Sequence, residues 1–166
     1  MRKIKEIVIS DTADQFDAPA RLADLELKYK DRGCKPVSGH YIPFHYVIFP
    51  DGDVIGICKL GSVIKHYNGH DLHAIHIGVF GGNDRIKVRN TMTVKQSNAL
   101  YGTLYRLMNA FGIPYNKIRL ASELGCIDSI SRDWFDSVFK DRLQEPLFYP
   151  CMQEPFEPFG SCVINH

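Results

Sequence analysis

The sequence has no run approaching the roughly 20 apolar residues of a membrane-spanning helix. No apolar signal core follows the charged start Met1-Arg-Lys-Ile-Lys-Glu. A strong charge of either sign is missing too: 20 Lys+Arg against 19 Asp+Glu leave a formal net charge of +1. That balance excludes bulk nucleic-acid binding by net electrostatics and a polybasic membrane attachment, though not a local basic pocket. Cys-x-x-Cys pairs are lacking, and the cysteines (Cys34, Cys58, Cys126, Cys151 and Cys162) are odd in number. Neither a disulfide framework nor a zinc ribbon is supported, and reduced thiols in a cytoplasmic protein are expected. No internal repeat and no linker divides the chain.

What is present is globular material. The 166 residues suit one domain, and 45% hydrophobic content with 10 Phe and 8 Tyr is core-forming rather than disordered composition. Ile4 to Ile9 reads as a buried strand. Leu22, Leu25 and Tyr29 recur at helical spacing between Ala18 and Arg32, with Pro19 near the start and Gly33 past the end. Two apolar runs, Phe44 to Phe49 and Val54 to Cys58, flank Pro50-Asp-Gly-Asp, a hairpin signal. Ala74 to Phe80 is a further strand, closed by Gly81-Gly82, whose spacing suits a turn better than a phosphate-binding loop.

Thr93 and Gln96 form a capping box ahead of the stripe Leu100, Leu104, Leu107 and Phe111, which Gly112 and Pro114 stop. Lys117 to Ala121 is a short strand, and Ser131 to Leu143 is a last amphipathic helix. The order β-α-β-β-β-α-β-α predicts an α/β fold: a single domain over 1–144 with a central mixed β-sheet flanked by about three helices. After Gln144, Pro146, Pro150, Pro155 and Pro158 alternate with Phe148, Tyr149, Phe156 and Phe159. Residues 145–166 are therefore expected to be an extended strap, lying across the domain or against a second copy in a homo-oligomer.

Three stretches together resemble the N-acetylmuramoyl-L-alanine amidases, the zinc enzymes that include small phage lysozymes and peptidoglycan-recognition proteins. Ile7-Val-Ile-Ser-Asp-Thr-Ala matches the shape of the family's first strand. Pro43-Phe-His-Tyr-Val-Ile-Phe-Pro-Asp-Gly-Asp-Val follows its hairpin. His66, Gly69, Asp71 and Ala74-Ile-His-Ile-Gly-Val-Phe-Gly-Gly follow its third motif. The resemblance covers residues 4–143 and implies the family's fold.

The resemblance also implies a zinc ion on two His and one Cys or Asp, with water and the scissile carbonyl in the fourth position. Here those positions carry Ser10, Ser122 and Ser129. Serine hydroxyls are poor zinc ligands beside imidazole or thiolate. The family's assisting tyrosine is replaced by Phe44, and its basic residue before the third ligand falls near Ile127. No metal or other cofactor is expected. The predicted function is a zinc-erased, phage-encoded binding protein, holding a muropeptide or sequestering a nucleotide-type immune signal.

Six of the seven histidines fall between His40 and His76, on the substrate side of the implied cleft. Candidate ligand-binding residues are His45, His66, Phe44, Lys65, Tyr67, Asn68, His70 and Arg119, with Tyr41 and Arg85 as outlying donors or stacking partners. Three alternatives stay open. One is a metal-independent hydrolase using His45 and His66 as acid and base. Another is zinc relocated to Asp11, Glu123, Cys126, Asp128 or the histidines, although strand alternation points Asp11 away from Ser10. The last is an inhibitor of a protein partner.

Overall fold

The computed structural model describes residues 2–67 and 69–144. The strap at 145–166, with Cys151 and Cys162, and the candidate Asn68 lie outside the described residues. In chain order the elements are β1 (Glu6–Asp11), β2 (Asp14–Gln15), α1 (Leu22–Asp31), β3 (Tyr46–Ile48) and β4 (Val54–Gly56). There follow β5 (Ala74–Val79), β6 (Gly82–Asn83), α2 (Val94–Phe111), β7 (Ile118–Leu120) and α3 (Arg132–Gln144). The central sheet has the order β4-β3-β5-β1-β7, parallel except for the β3–β4 hairpin. The expected mixed sheet with three helices is the fold observed.

Most strands are shorter at their ends than the sequence reading gave, and two boundaries differ in a way that bears on the site. β1 runs on to Asp11, because its backbone stays in register with β5 as far as Val79. α1 starts at Leu22 rather than Ala18; its N-cap, Arg21, is extended and offers no side-chain cap. The two-residue pair β2–β6 has no hydrophobic signature and is visible only in three dimensions.

Strand alternation sorts the sheet into two faces. Ile7 and Ile9 of β1, Ile75 and Ile77 of β5, and Ile118 and Leu120 of β7 point to one side, where Leu100, Leu104 and Leu107 of α2 and Phe135 and Phe139 of α3 cover them. The N-terminus of α2 has its capping box at Thr93 and Gln96, and Gly112 ends the helix in the left-handed region at φ 63°. On the other face α1 brings Leu25 and Tyr29 over Phe44 and Val47. Beyond α1 this second face is closed by loops, and it carries the row His76, Val8 and Arg119, neighbours in the register of β5, β1 and β7. Gly78 of β5 is required there: a Cβ would stand 2.6 Å from the Phe44 ring.

Candidate functional site

Ser10 stands near the end of β1 and is 7% exposed. Its hydroxyl lies 2.9 Å from Asp128 Oδ2, which also accepts the Asp11 N–H at 2.9 Å. Asp128 Oδ1 accepts the Ile130 N–H at 2.9 Å. In return Asp11 Oδ2 accepts the Ser129 N–H at 2.7 Å, and its Oδ1 accepts the Ala13 N–H at 2.9 Å. The Ser122 hydroxyl donates to the Ile130 carbonyl at 2.8 Å. Each carboxylate thus accepts a backbone donor from the other's segment, and β1 is clasped to the 128–130 loop. Burial, with Asp11 nearby, pushes the Asp128 carboxyl up to about 6.

The three positions that the resemblance gives to zinc ligands therefore meet at one end of β1, but as a hydrogen-bonded clasp. Their donor set does not fit zinc. The hydroxyls of Ser10 and Ser122 are already engaged, and Ser129 contributes its backbone N–H. Among the described residues no group of three or more His, Cys, Asp or Glu is gathered so as to hold a metal ion. Although Asp11 follows Ser10 on the strand, both reach the same loop, because the strand ends there. Gly82 makes room for the clasp: at φ +105° it passes so close that a Cβ would lie 2.3 Å from Asp11 Cγ. The N–H groups of Gly81 and Gly82 donate to Thr12 and Thr91 hydroxyls, so the glycine pair works as a turn with its amides used internally.

Beside the clasp lies a layer of rings. His45, His76 and Tyr67 stack in sequence, with centroids 5.7 and 5.5 Å apart, and His66 meets Tyr67 edge-on at 4.4 Å. The His76 backbone N–H donates to His45 Nδ1 at 3.0 Å, so that nitrogen is bare, while Nε2 lies 3.2 Å from the Ser62 carbonyl. Burial, with the Arg2 guanidinium 2.9 Å from Nε2, drives His45 down to about 4. His76 is lowered to about 3, first by burial and then by its neighbours His45, His66 and Arg2, whose positive charge would oppose its own. Neither of its ring nitrogens has a hydrogen-bond partner. Burial also raises the Tyr67 phenol, partly offset by the Ser10 hydroxyl beside it.

The candidate residues separate by depth. His45 and Phe44 are 0% and 1% exposed, so they belong to the core and present nothing at the surface. Phe44 packs against Tyr29 and under His66, and Tyr67 is 4% exposed and forms floor. Lys65 and His66 are exposed, while His70 and Arg119 are half-buried on either side of Glu6. Arg119 Nε is buried without a hydrogen-bond partner. Burial lowers His66 in its contact with Phe44 and Tyr67. Arg85 is remote from this group and pairs with Asp17, and Tyr41 packs under Lys30 near α1. Ile127, at 87% exposure, presents no charge.

Sequence reasoning missed Arg2. Its guanidinium donates to the carbonyls of Leu60, Asp71 and Ala74 at 2.9, 3.1 and 2.9 Å, fastening the loop that carries His66 and Tyr67. Nothing in the local pattern marks it, since a lone arginine before a strand is ordinary. Arg119 was visible as a charge inside an apolar strand.

No protein-family model matches the sequence, and no curated protein matches it. Solved structures do. N-acetylmuramoyl-L-alanine amidase LysC from Clostridium intestinale URNW superposes with a TM-score of 0.64 at 18% identity, covering 82% of this chain and 85% of that one. The Ph2119 endolysin from Thermus scotoductus MAT2119 bacteriophage Ph2119 gives 0.61 at 20% identity, covering 82% and 85%. Human PGRP-IBETAC in complex with glycosamyl muramyl pentapeptide gives 0.61 at 16% identity, covering 82% and 84%. At such identities the likeness is one of fold, and the chain has the fold of the N-acetylmuramoyl-L-alanine amidases and peptidoglycan-recognition proteins.

Proposed function

We propose that this protein is an amidase-fold binding protein that holds a small polar ligand and does not hydrolyse it. The observation that carries the reading is the clasp: where the resemblance calls for three zinc ligands, serines are tied to Asp128, Asp11 and the Ile130 backbone. The likeness in fold to human PGRP-IBETAC, solved with a muramyl pentapeptide, supports a muropeptide as the ligand class to test first. The exposed imidazole of His66, the half-buried His70 and the Arg119 guanidinium would meet its carboxylates and amides, over a floor made by Tyr67.

The histidine-hydrolase alternative finds less support. His45 is enclosed and neutral, with one nitrogen accepting from His76 and the other facing Ser62. A general base has to come within hydrogen-bond reach of the substrate proton. A nucleotide-type signal remains the second ligand class, because the same donors suit phosphate.

Calorimetric titration of the full chain with a muramyl pentapeptide and with cyclic dinucleotides, followed by mass spectrometry of the recovered ligand, tests the proposal. Saturable binding with the ligand recovered intact, weakened at least tenfold by Arg119→Ala or His66→Ala, is the expected outcome. That factor corresponds to about 1.4 kcal/mol. Recovery of cleaved product, or no binding of either class, overturns it.

A further inference from the structure

The central sheet ends in two edges, β7 on one side and β4 on the other, and they are finished differently. At β7 side chains stand where a further strand would pair. The Leu120 N–H donates to Glu123 Oε2 at 3.0 Å, and the Ile118 carbonyl accepts from the Arg132 guanidinium at 2.8 Å. At β4 no such closure exists among the described residues. The Phe49 N–H donates to the Asp53 carbonyl at 2.9 Å and the Ile57 N–H to the His45 carbonyl at 2.8 Å, so Asp53, Ile55 and Ile57 bond toward β3. Antiparallel alternation then turns the N–H and C=O groups of Val54 and Gly56 outward. None of these groups has a hydrogen-bond partner among the described residues. β4 also lacks the usual guards of an edge, a lysine, a proline or a bulge.

Beside this open edge, on the face that α1 covers, lies a depression of about 280 Å³. Leu22, Phe49, Pro50 and Ile55 make its walls, and the exposed Asp51 and Asp53 stand at its rim. No Lys, Arg or His lines it, and neither carboxylate enters an ion pair among the described residues. Asp53 and Ile55 share one face of the strand, because side chains alternate with a period of two. A strand laid antiparallel along β4 would therefore set one side chain opposite Ile55, over the depression. Its next residue but one would stand opposite Asp53.

We propose that β4 is a docking edge for an extended peptide segment of a partner protein, one that carries a large apolar side chain and, two residues on, a Lys or Arg. The backbone pairs with Val54 and Gly56, the apolar side chain fills the depression, and the cation meets Asp53. The two unpaired carboxylates select this charge and disfavour an acidic segment. A second copy of the chain paired about Ile55 would set Ile57, not a cation, opposite Asp53.

The test titrates the isotope-labelled full chain with the blocked peptide S-T-F-T-R-T-S, followed by amide NMR, hydrogen exchange and light scattering. The expected result is saturable binding that shifts the Val54 and Gly56 amides and slows their exchange by about tenfold or more. N-methylation of the two threonines flanking the phenylalanine abolishes it, since it removes the N–H groups that pair with the edge. Glutamate in place of the peptide's arginine, or Asp53→Lys in the chain, weakens binding by about fivefold or more, and the two changes together restore it. The Asp53 carboxylate is exposed and bonds to nothing in the fold, so the variant keeps its structure. Absence of saturable binding overturns the proposal, as does equal binding of the N-methylated peptide. A dimer whose formation protects Val54 and Gly56 overturns it too, by assigning the edge to a second copy. So do shifts confined to His66, Tyr67 and His70, which place the peptide in the ligand site. The edge and its depression share no residue with the clasp or the ring layer, so this titration and the muropeptide titration fail independently.

Discussion

His76 carries two ring nitrogens into a 1%-exposed position and finds no hydrogen-bond partner for either. An unsatisfied buried polar group costs about 1–3 kcal/mol. Its ring nevertheless fits between His45 and Tyr67 in a stack. His76→Phe keeps the stack and removes the unpaired nitrogens, so at pH 7.5 the variant is expected to unfold at the same temperature as the parent or higher. Acid sensitivity should distinguish the two more sharply. His45 and His76 sit at about 4 and about 3 when folded, below the ordinary 6.5. The unfolded chain therefore binds protons that the folded one refuses, and stability present above 6.5 is lost as the pH falls toward 4. Asp128, raised to about 6, acts in the opposite direction, since its acid form favours the fold between 3.8 and 6. Each histidine shift is at least as large as the one opposing carboxyl shift, so net stability falls on acidification. Thermal midpoints from pH 7.5 to 4.5 check this: the parent should fall steeply and His76→Phe less so, and equal slopes would refute the assignment. The clustering of histidines was legible in the sequence. Their depth was not, because β5 is buried on both faces and no alternation marks which side of it is wet.

Between elements, two devices hold the site. One is the clasp from β1 to the 128–130 loop, which Gly82 permits by passing close to Asp11. The other is Arg2, whose guanidinium serves the carbonyls of Leu60, Asp71 and Ala74 and so closes the 60–74 loop over His45. Arg2→Ala leaves those carbonyls without a charged donor. Hydrogen bonds to charged groups are worth roughly 1.5–3 kcal/mol. The variant should therefore lose that much stability, with amides between Ile64 and His73 exchanging faster while those of α2 keep their protection relative to global unfolding. Uniform acceleration through α2 would mean that Arg2 supports the whole fold rather than the loop. The hairpin and the α2 cap were readable in advance, because Asp51-Gly52 and Thr93-x-x-Gln96 act within a few residues. The loop's fastening was not, since Arg2 lies 58 to 72 positions from its acceptors.

For the molecule as a whole, the prediction concerns metal. A protein that binds zinc in the folded state gains stability by mass action when zinc is supplied, about 2.7 kcal/mol at a hundredfold excess over Kd. Here the thermal midpoint is expected to be unchanged by equimolar zinc and by prior treatment with chelator. An upward shift with zinc, lost on chelation, would return the relocated-ligand alternative. No helix among the described residues is long and apolar enough to cross a membrane, in keeping with the lack of long apolar runs.

The sequence by itself determined the order of the main elements and the sheet-facing stripe of α2. These follow from local periodicity and capping chemistry, which act over one or two turns of chain. Only the tertiary structure decided what the serines do and where the histidines lie. Ser10 meets Asp128 across 118 residues, and the parallel register of β5, β1 and β7 sets His76, Val8 and Arg119 side by side. Register and loop closure are set by packing over the whole sheet, so the clasp between β1 and the 128–130 loop is a property of the fold that no short stretch of the chain encodes.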